Sequence, residues 1–339
     1  MPPFSIGVDL GGTNLRVAAV TPVGERLDHI GLPTRLAAGP HAVLDDMASA
    51  IRKLIDKQSG ELLGIGVGSP GPIELPLGVL RHPPNLSGFD GLNLRTELEQ
   101  RLGHPVHVGH DSALAAYGEC LLGAGRAHAV DSLLMYTLGT GVGCGVVLDG
   151  HIWNGMRGAA GESGHGPIIP DGPRCPCGAR GCLEMYASAT SIVRRAHELG
   201  LGPEAAQSAA LPAPAASDNG RAPLTASAIA QLATAGDERA LRIFEEVGYA
   251  LGLSLAHLVN ALDLPLYVIG GGAAAAWPLF AARMFLTLRG GSYVYRMSMP
   301  SDPAVFEPGK THIAPARLSD AGILGAALLP LATRAAAIP

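Results

Sequence analysis

Lysine is scarce in this 339-residue chain: Lys53, Lys57 and Lys310 are the only three among 24 basic residues. Charged residues make up 16%, against about 25% in an average globular domain, and aromatics only 4%. The net charge of −5 leaves no broad positive field to hold nucleic acid or an anionic membrane surface. The arginine bias, with 46 Gly, 27 Pro and abundant alanine, is what GC-rich codons produce, so glycine carries information here by its placement rather than its number. Long apolar runs are missing too. The tracts at 273–288 and 322–333 fall short of the ~20 residues of a membrane span, and Pro278, Arg283 and Pro330 interrupt them. The opening MPPFSIGVDL has neither a basic segment nor a long apolar one, so secretion is unsupported and the expectation is a soluble, cytoplasmic protein. Five cysteines are an odd count. Cys120 and Cys144 stand alone, while Cys175, Cys177 and Cys182 cluster, a pattern that suits metal binding better than disulfides.

What is present is a 47% apolar composition, enough for a large core, over a length of about two domains at ~150 residues each. Ser5–Asp9 reads as a strand, followed by a glycine turn and a second apolar run, Leu15–Val20, together a hairpin. Residues 41–59 repeat Val43, Met47, Ile51, Leu54 and Ile55 at helical spacing. A strand at 62–68, a Pro/Gly-rich loop at 69–90, a helix at 92–102, a short strand at 106–108 and a helix at 112–123 complete a first cycle. A second begins with a strand at 133–138, a glycine turn at 139–145 and a return strand at 146–148. VDLGGTNLRVAAV and MYTLGTGVGCGVV share the strand, Leu-Gly-x turn, strand pattern, which suggests two related α/β halves facing a cleft. Residues 203–223 are low in complexity and read as a surface excursion. Helices are expected at 225–235, 238–262 and 319–333, and a buried strand at 266–269 runs into Gly270-Gly271-Gly272.

Three strand-end glycine turns follow from this pattern: Asp9-Leu10-Gly11-Gly12-Thr13, Gly139-Thr140-Gly141-Val142-Gly143 and Gly270–Gly272. Glycine lets backbone N–H groups approach a phosphate closely, and a carboxylate such as Asp9 can hold Mg²⁺ through water. Together they point to a nucleoside triphosphate. Two look-alikes fail. Gly66–Gly71 matches G-x-G-x-x-G, but Pro70 and Pro72 stand where its helix should start. Gly309-Lys310-Thr311 ends like a P-loop, but Ala304 occupies the position of the first glycine. His165, Cys175, Cys177 and Cys182 offer one imidazole and three thiolates, the closed set of a structural Zn²⁺ site, and Pro176, Gly178 and Gly181 favour a tight knuckle. Glu162 and Glu184 flank it, placed to accept hydroxyl hydrogen bonds. Asp111, at a strand–helix junction, reads equally as a helix cap or a catalytic base.

In combination, DLGGT, LGTGVG, GESGH…CPCGARGCLE and IGGG resemble the ROK family of sugar kinases and regulators, over nearly the whole chain. The resemblance implies an α/β, two-lobed, actin-like (ribonuclease-H-like) ATPase fold with a zinc knuckle. The small lobe would be residues 1–112 with 318–339, and the large lobe 113–317, carrying the knuckle and a homodimer surface. Asp9, Gly11, Gly12 and Thr13 would form the first phosphate motif. Gly139, Thr140, Gly141 and Gly143 would form the second, and Gly270 and Gly271 the adenosine motif. Asp111 would be the base at the sugar 6-hydroxyl. Asn85, Glu162, His165 and Glu184 would contact sugar, with His165 also ligating zinc beside Cys175, Cys177 and Cys182. The implied partners are a hexose and ATP with Mg²⁺. One position departs from the family: His110 stands where an Asn sugar contact precedes the base. The expected activity is phosphorylation of glucose. The alternatives are N-acetylmannosamine, N-acetylglucosamine, fructose or allose as acceptor, or a sugar-sensing regulator without its DNA-binding domain. Against the regulator stand the negative charge and the shortness of the stretch that precedes the first strand.

Overall fold

In a computed structural model, residues 2–83, 85–202 and 224–336 are described. The low-complexity stretch 203–223 lies outside them. The expected opening hairpin forms from β1 (Phe4–Leu10) and β2 (Asn14–Val20), paired antiparallel with Asp9 opposite Arg16 and Leu10 opposite Leu15. Sequence reading missed β3 (Arg26–Pro33), which pairs antiparallel with β2 and is only half-buried. An edge strand lacks the continuous apolar run that marks its buried neighbours. β4 (Leu62–Ser69) and β7 (Val106–His110) then join in parallel, giving the order β3-β2-β1-β4-β7. The stretch 69–90 contains a small hairpin, β5 (Ile73–Glu74) with β6 (Val79–Leu80). A second five-stranded sheet has the order β10-β9-β8-β11-β12, built from β8 (Leu133–Leu138), β9 (Val142–Leu148), β10 (His151–Ile152), β11 (Leu266–Gly270) and β12 (His312–Pro315). The two orders follow one scheme: a three-strand meander, then strands added beside its first member. This accounts for the two similar Leu-Gly hairpins.

Contacts group the chain into two compact units: residues 1–135, 144–161 and 316–339 in one, and 136–143 with 162–315 in the other. In it, α1 (Pro40–Lys57) covers one face of the sheet, burying Val43, Met47, Ile51 and Leu54 in one cluster with Ile6, Val8, Leu15 and Val17. The opposite face takes α11 (Ala321–Ala336), where Ile323 and Ala327 meet Ala18 and Val20. This is the period-2 alternation of a strand covered on both sides. α11 approaches backbone to backbone. A Cβ at Gly7 of β1 would overlap Ile323 O, and one at Gly325 would overlap the Leu114 carbonyl of α3 (Asp111–Leu121). α2 (Leu94–Leu102), capped by Asn93 through Thr96 N–H, and α4 (Ala124–His128) complete the unit.

The second unit is mainly helical: α5 (Glu184–Ala187), α6 (Ala189–Glu198), α7 (Ala226–Thr234), α8 (Glu238–Leu262), α9 (Trp277–Gly291) and α10 (Tyr293–Ser298). Ser188, Thr225 and Asp237 cap α6, α7 and α8 by accepting N–H groups of the first turn. The tract 273–288 is therefore largely the helix α9, and Pro278, read above as an interruption, sits in its first turn, where proline is favoured. Among the described residues, no helix is long and apolar enough to cross a membrane.

Candidate active site

The predicted site residues fall into two sets, one in each unit. In the first, the β1–β2 turn is short. Gly11 N–H donates to Asn14 O at 2.9 Å and Thr34 Oγ1 donates to Gly11 O at 2.7 Å. Asn85 is exposed, and its carbonyl lies where a Cβ on Gly12 would come within 2.8 Å. Asp9, at the end of β1, pairs with Arg16 at 3.2 Å. Burial raises its carboxyl above the ordinary aspartate value. Arg16 opposes that, and the nearby carboxylates Asp111 and Asp320 reinforce it. A partly buried carboxylate disfavoured by two others is a setting that a cation relieves.

Asp111 begins α3 directly after β7. Its Oδ1 accepts Ser112 N–H at 2.6 Å and lies 3.1 Å from His110 Nδ1. The same His110 nitrogen is 2.7 Å from Ser112 Oγ, which donates to the Cys144 carbonyl at 3.0 Å. Burial works to raise the Asp111 carboxyl. The His110 hydrogen bond and charge, with Ser112 N–H, outweigh it and hold the group below its ordinary value.

In the second unit, His165, Cys175, Cys177 and Cys182 converge, with all four ligand atoms within 4.8 Å of one another. Cys175 Sγ lies 3.5 Å from His165 Nδ1, and Cys177 Sγ 3.7 Å from Cys182 Sγ. A tetrahedral Zn²⁺ with Zn–S near ~2.3 Å needs sulfur–sulfur edges of about 3.8 Å, so the donor set fits. Burial pushes the Cys175 and Cys182 thiols up, the penalty that a bound cation removes. Nδ1 is thus the imidazole atom that faces the sulfurs, and Nε2 faces Glu162 Oε2 at 4.0 Å.

Gly139 N–H donates to Gly141 O at 2.9 Å, so the second glycine turn is tighter than the predicted 139–145, and β9 starts at Val142. Glu184 Oε2 accepts Val142 N–H at 3.0 Å. Gly270 ends β11. Gly271, at φ +85°, sits where a Cβ would lie 2.5 Å from Leu138 O, beside the Gly139 turn.

The structure therefore groups Asp9, Gly11, Gly12, Asn85, His110 and Asp111 in the first unit. Gly139–Gly143, Glu162, His165, Glu184, Gly270 and Gly271 belong to the second. Sequence reading missed three participants. Arg16 was recoverable from hairpin register, since pairing Leu10 with Leu15 puts it opposite Asp9. Ser112 and Thr190, whose Oγ1 donates to Thr140 O at 2.8 Å, left no signal, because nothing local marks a hydroxyl that bonds a distant carbonyl.

A family model described as ROK family matches residues 5–332. A glucokinase of Halalkalibacterium halodurans is 39% identical over 80% of this chain and 81% of its own. A ROK hexokinase from Thermus thermophilus matches at TM-score 0.78 and 30% identity, covering 98% of this chain and 99% of that one. A ROK family glucokinase from Streptomyces griseus, solved with glucose and AMPPNP, matches at TM-score 0.73 and 28% identity, covering 96% and 98%.

Proposed function

Because the chain belongs to the ROK family, we propose that it transfers the γ-phosphoryl group of ATP to the 6-hydroxyl of a hexose, with glucose as the preferred acceptor. The observation that carries this reading is Asp111: a carboxylate at a strand–helix junction, held in its ionised form by His110 and Ser112 N–H. Phosphoryl transfer leaves little covalent work to the protein. Asp111 accepts the hydrogen bond of the 6-hydroxyl, orients its oxygen and takes the proton as the new bond forms, a role worth typically ~10²–10⁴-fold. An aspartate is ionised at neutral pH, so it needs no prior deprotonation.

In this reading Asn85, His110, Glu162, His165 and Glu184 bind the sugar. Gly12 and Thr13, and Thr140 and Gly141, present N–H groups to phosphates, Gly11, Gly139 and Gly143 shape the two turns that do so, and Gly270 and Gly271 approach the adenosine. Asp9 would hold the Mg²⁺ that accompanies the nucleotide, which would supply charge neutralisation. His165, Cys175, Cys177 and Cys182 would hold a structural Zn²⁺, with Glu162 facing the far edge of the imidazole as in carboxylate–histidine–metal chains. The functional lobes are residues 1–112 with 318–339, and 113–317. The protein acts as a cytoplasmic homodimer at the head of glucose breakdown.

A coupled assay of ADP release over a panel of hexoses tests the proposal. Turnover with glucose supports it; no ADP release with any sugar overturns it. His110 in place of the family's Asn favours one second reading, a kinase whose best acceptor is another hexose or an N-acetylhexosamine, and the same panel separates the two.

A further inference from the structure

The turn between β8 and β9 is tied down by one distant segment. Val142 N–H donates to Glu184 Oε2 at 3.0 Å, Ala189 N–H to Gly139 O at 2.8 Å and Thr190 Oγ1 to Thr140 O at 2.8 Å. The Glu184 carboxylate packs directly against Gly141, where a Cβ would meet Oε2. The segment is itself braced: Ser191 Oγ donates to Glu184 O at 2.7 Å, and Glu184 follows the thiol ligand Cys182 by two residues. On the other side of Val142, a Cβ on Gly164, next to His165, would overlap the Val142 carbonyl. Val142 is thus held between the stretch that supplies His165 and the stretch that follows Cys182, all within one unit.

A turn that presents N–H groups to a phosphate must have its carbonyls turned away and bonded elsewhere. The Gly139 and Thr140 carbonyls are bonded in this way by the 189–190 segment. Attraction does not explain a carboxylate here, because a negative charge beside a phosphate site repels the ligand. Its use is as an acceptor that fixes the Gly141–Val142 peptide. We propose that Glu184 is a positioning residue of the phosphate-binding turn, acting through Val142 N–H, whatever sugar contact it also makes. The proposal rests on the reading of Gly139–Gly143 as a phosphate turn. It ties nucleotide affinity to the segment that the metal knuckle anchors.

The test is equilibrium binding of AMPPNP with Mg²⁺ to the full chain without sugar, alongside hydrogen exchange of the Val142 amide. Glu184→Ala should weaken AMPPNP by about tenfold, the scale of one hydrogen bond to a charged group, and speed exchange at Val142. Glu184→Gln keeps an acceptor oxygen and should stay within about threefold of the parent, a rescue that lost sugar contact or general destabilisation does not give. Thr190→Val, at an exposed position, removes the bond to Thr140 O and should weaken AMPPNP about threefold; it decides the matter if Glu184→Ala fails to fold. Gly139→Asp tests the underlying reading, since the space beside Gly139 is open and a carboxylate there should abolish phosphate binding. If Gly139→Asp abolishes AMPPNP binding while Glu184→Ala, or Thr190→Val in its stead, leaves it unchanged, the positioning role is overturned and the turn assignment stands. If Gly139→Asp has no effect, the turn assignment itself falls.

Discussion

His110 Nδ1 lies 3.1 Å from Asp111 Oδ1, so the residue just before the proposed base is also the one that holds it. With Ser112 Oγ donating to the Cys144 carbonyl, the tautomer protonated at Nδ1 lets His110 donate toward both Ser112 Oγ and Asp111 Oδ1.

Replacing His110 with Asn should move the acid limb of the kcat/KM profile upward. That limb reports Asp111, which His110 helps to hold below its ordinary value, with Asp9 the nearby carboxylate and Arg16 its partner. Because the folded-state value is depressed, this arrangement stabilises the fold above the ordinary aspartate pKa, and the gain is lost only as pH falls through the depressed one. The amide should also tighten glucose binding and sharpen preference over mannose and allose. A pH–rate series on those three sugars checks both, and unchanged limbs and ratios would remove His110 from either role.

Asp111→Asn should fold, bind glucose and lose at least ~10²-fold in turnover. Calorimetric sugar binding with steady-state kinetics is the measurement. Near-parental turnover would make Asp111 a structural group at the start of α3.

Metal analysis of the purified chain should find one Zn²⁺ per molecule. Cys177 is the exposed ligand, so Cys177→Ser removes a sulfur without opening a core cavity. Release to a chromogenic chelator should quicken, and both melting temperature and glucose affinity should fall, since His165 serves the site too. An active chain free of zinc would contradict this.

Glu119 is fully buried, and its carboxylate accepts N–H groups from Ala124 at 2.8 Å, Arg317 at 2.8 Å and Leu318 at 2.6 Å. Glu119→Leu leaves three N–H groups without their acceptor, one on buried Ala124 and two on the more open 317–318 segment, where water can replace it. At roughly 1–3 kcal/mol for a buried unsatisfied group and less for the other two, the expected loss is about 2–4 kcal/mol, read from urea unfolding.

Periodic or repeated features were legible in the sequence: the two Leu-Gly hairpins, the α1 stripe, the cysteine spacing, the strand ending in Gly270. β3 was not, because an edge strand half open to solvent shows no continuous apolar signal. α9 was obscured because Pro278 reads as a break until its place in the first turn is known. Spacing could gather His165 with three cysteines, but which imidazole nitrogen faces the sulfurs is a matter of side-chain orientation. The bonds from the 184–190 segment to the 139–142 turn span more than forty residues, and no local pattern encodes them.

The helix α11 touches both β1, which ends in Asp9, and α3, which begins with Asp111, at glycines that admit no side chain. Sheet register already brings the two ends together, since Asp9 stands opposite Gly68 of β4 and Ser69 opposite His110 of β7. α11 adds a brace behind that register, from a stretch of chain made some two hundred residues after Asp111. A chain shortened before residue 321 would keep the strands that align the acidic pair and lose the helix packed against them.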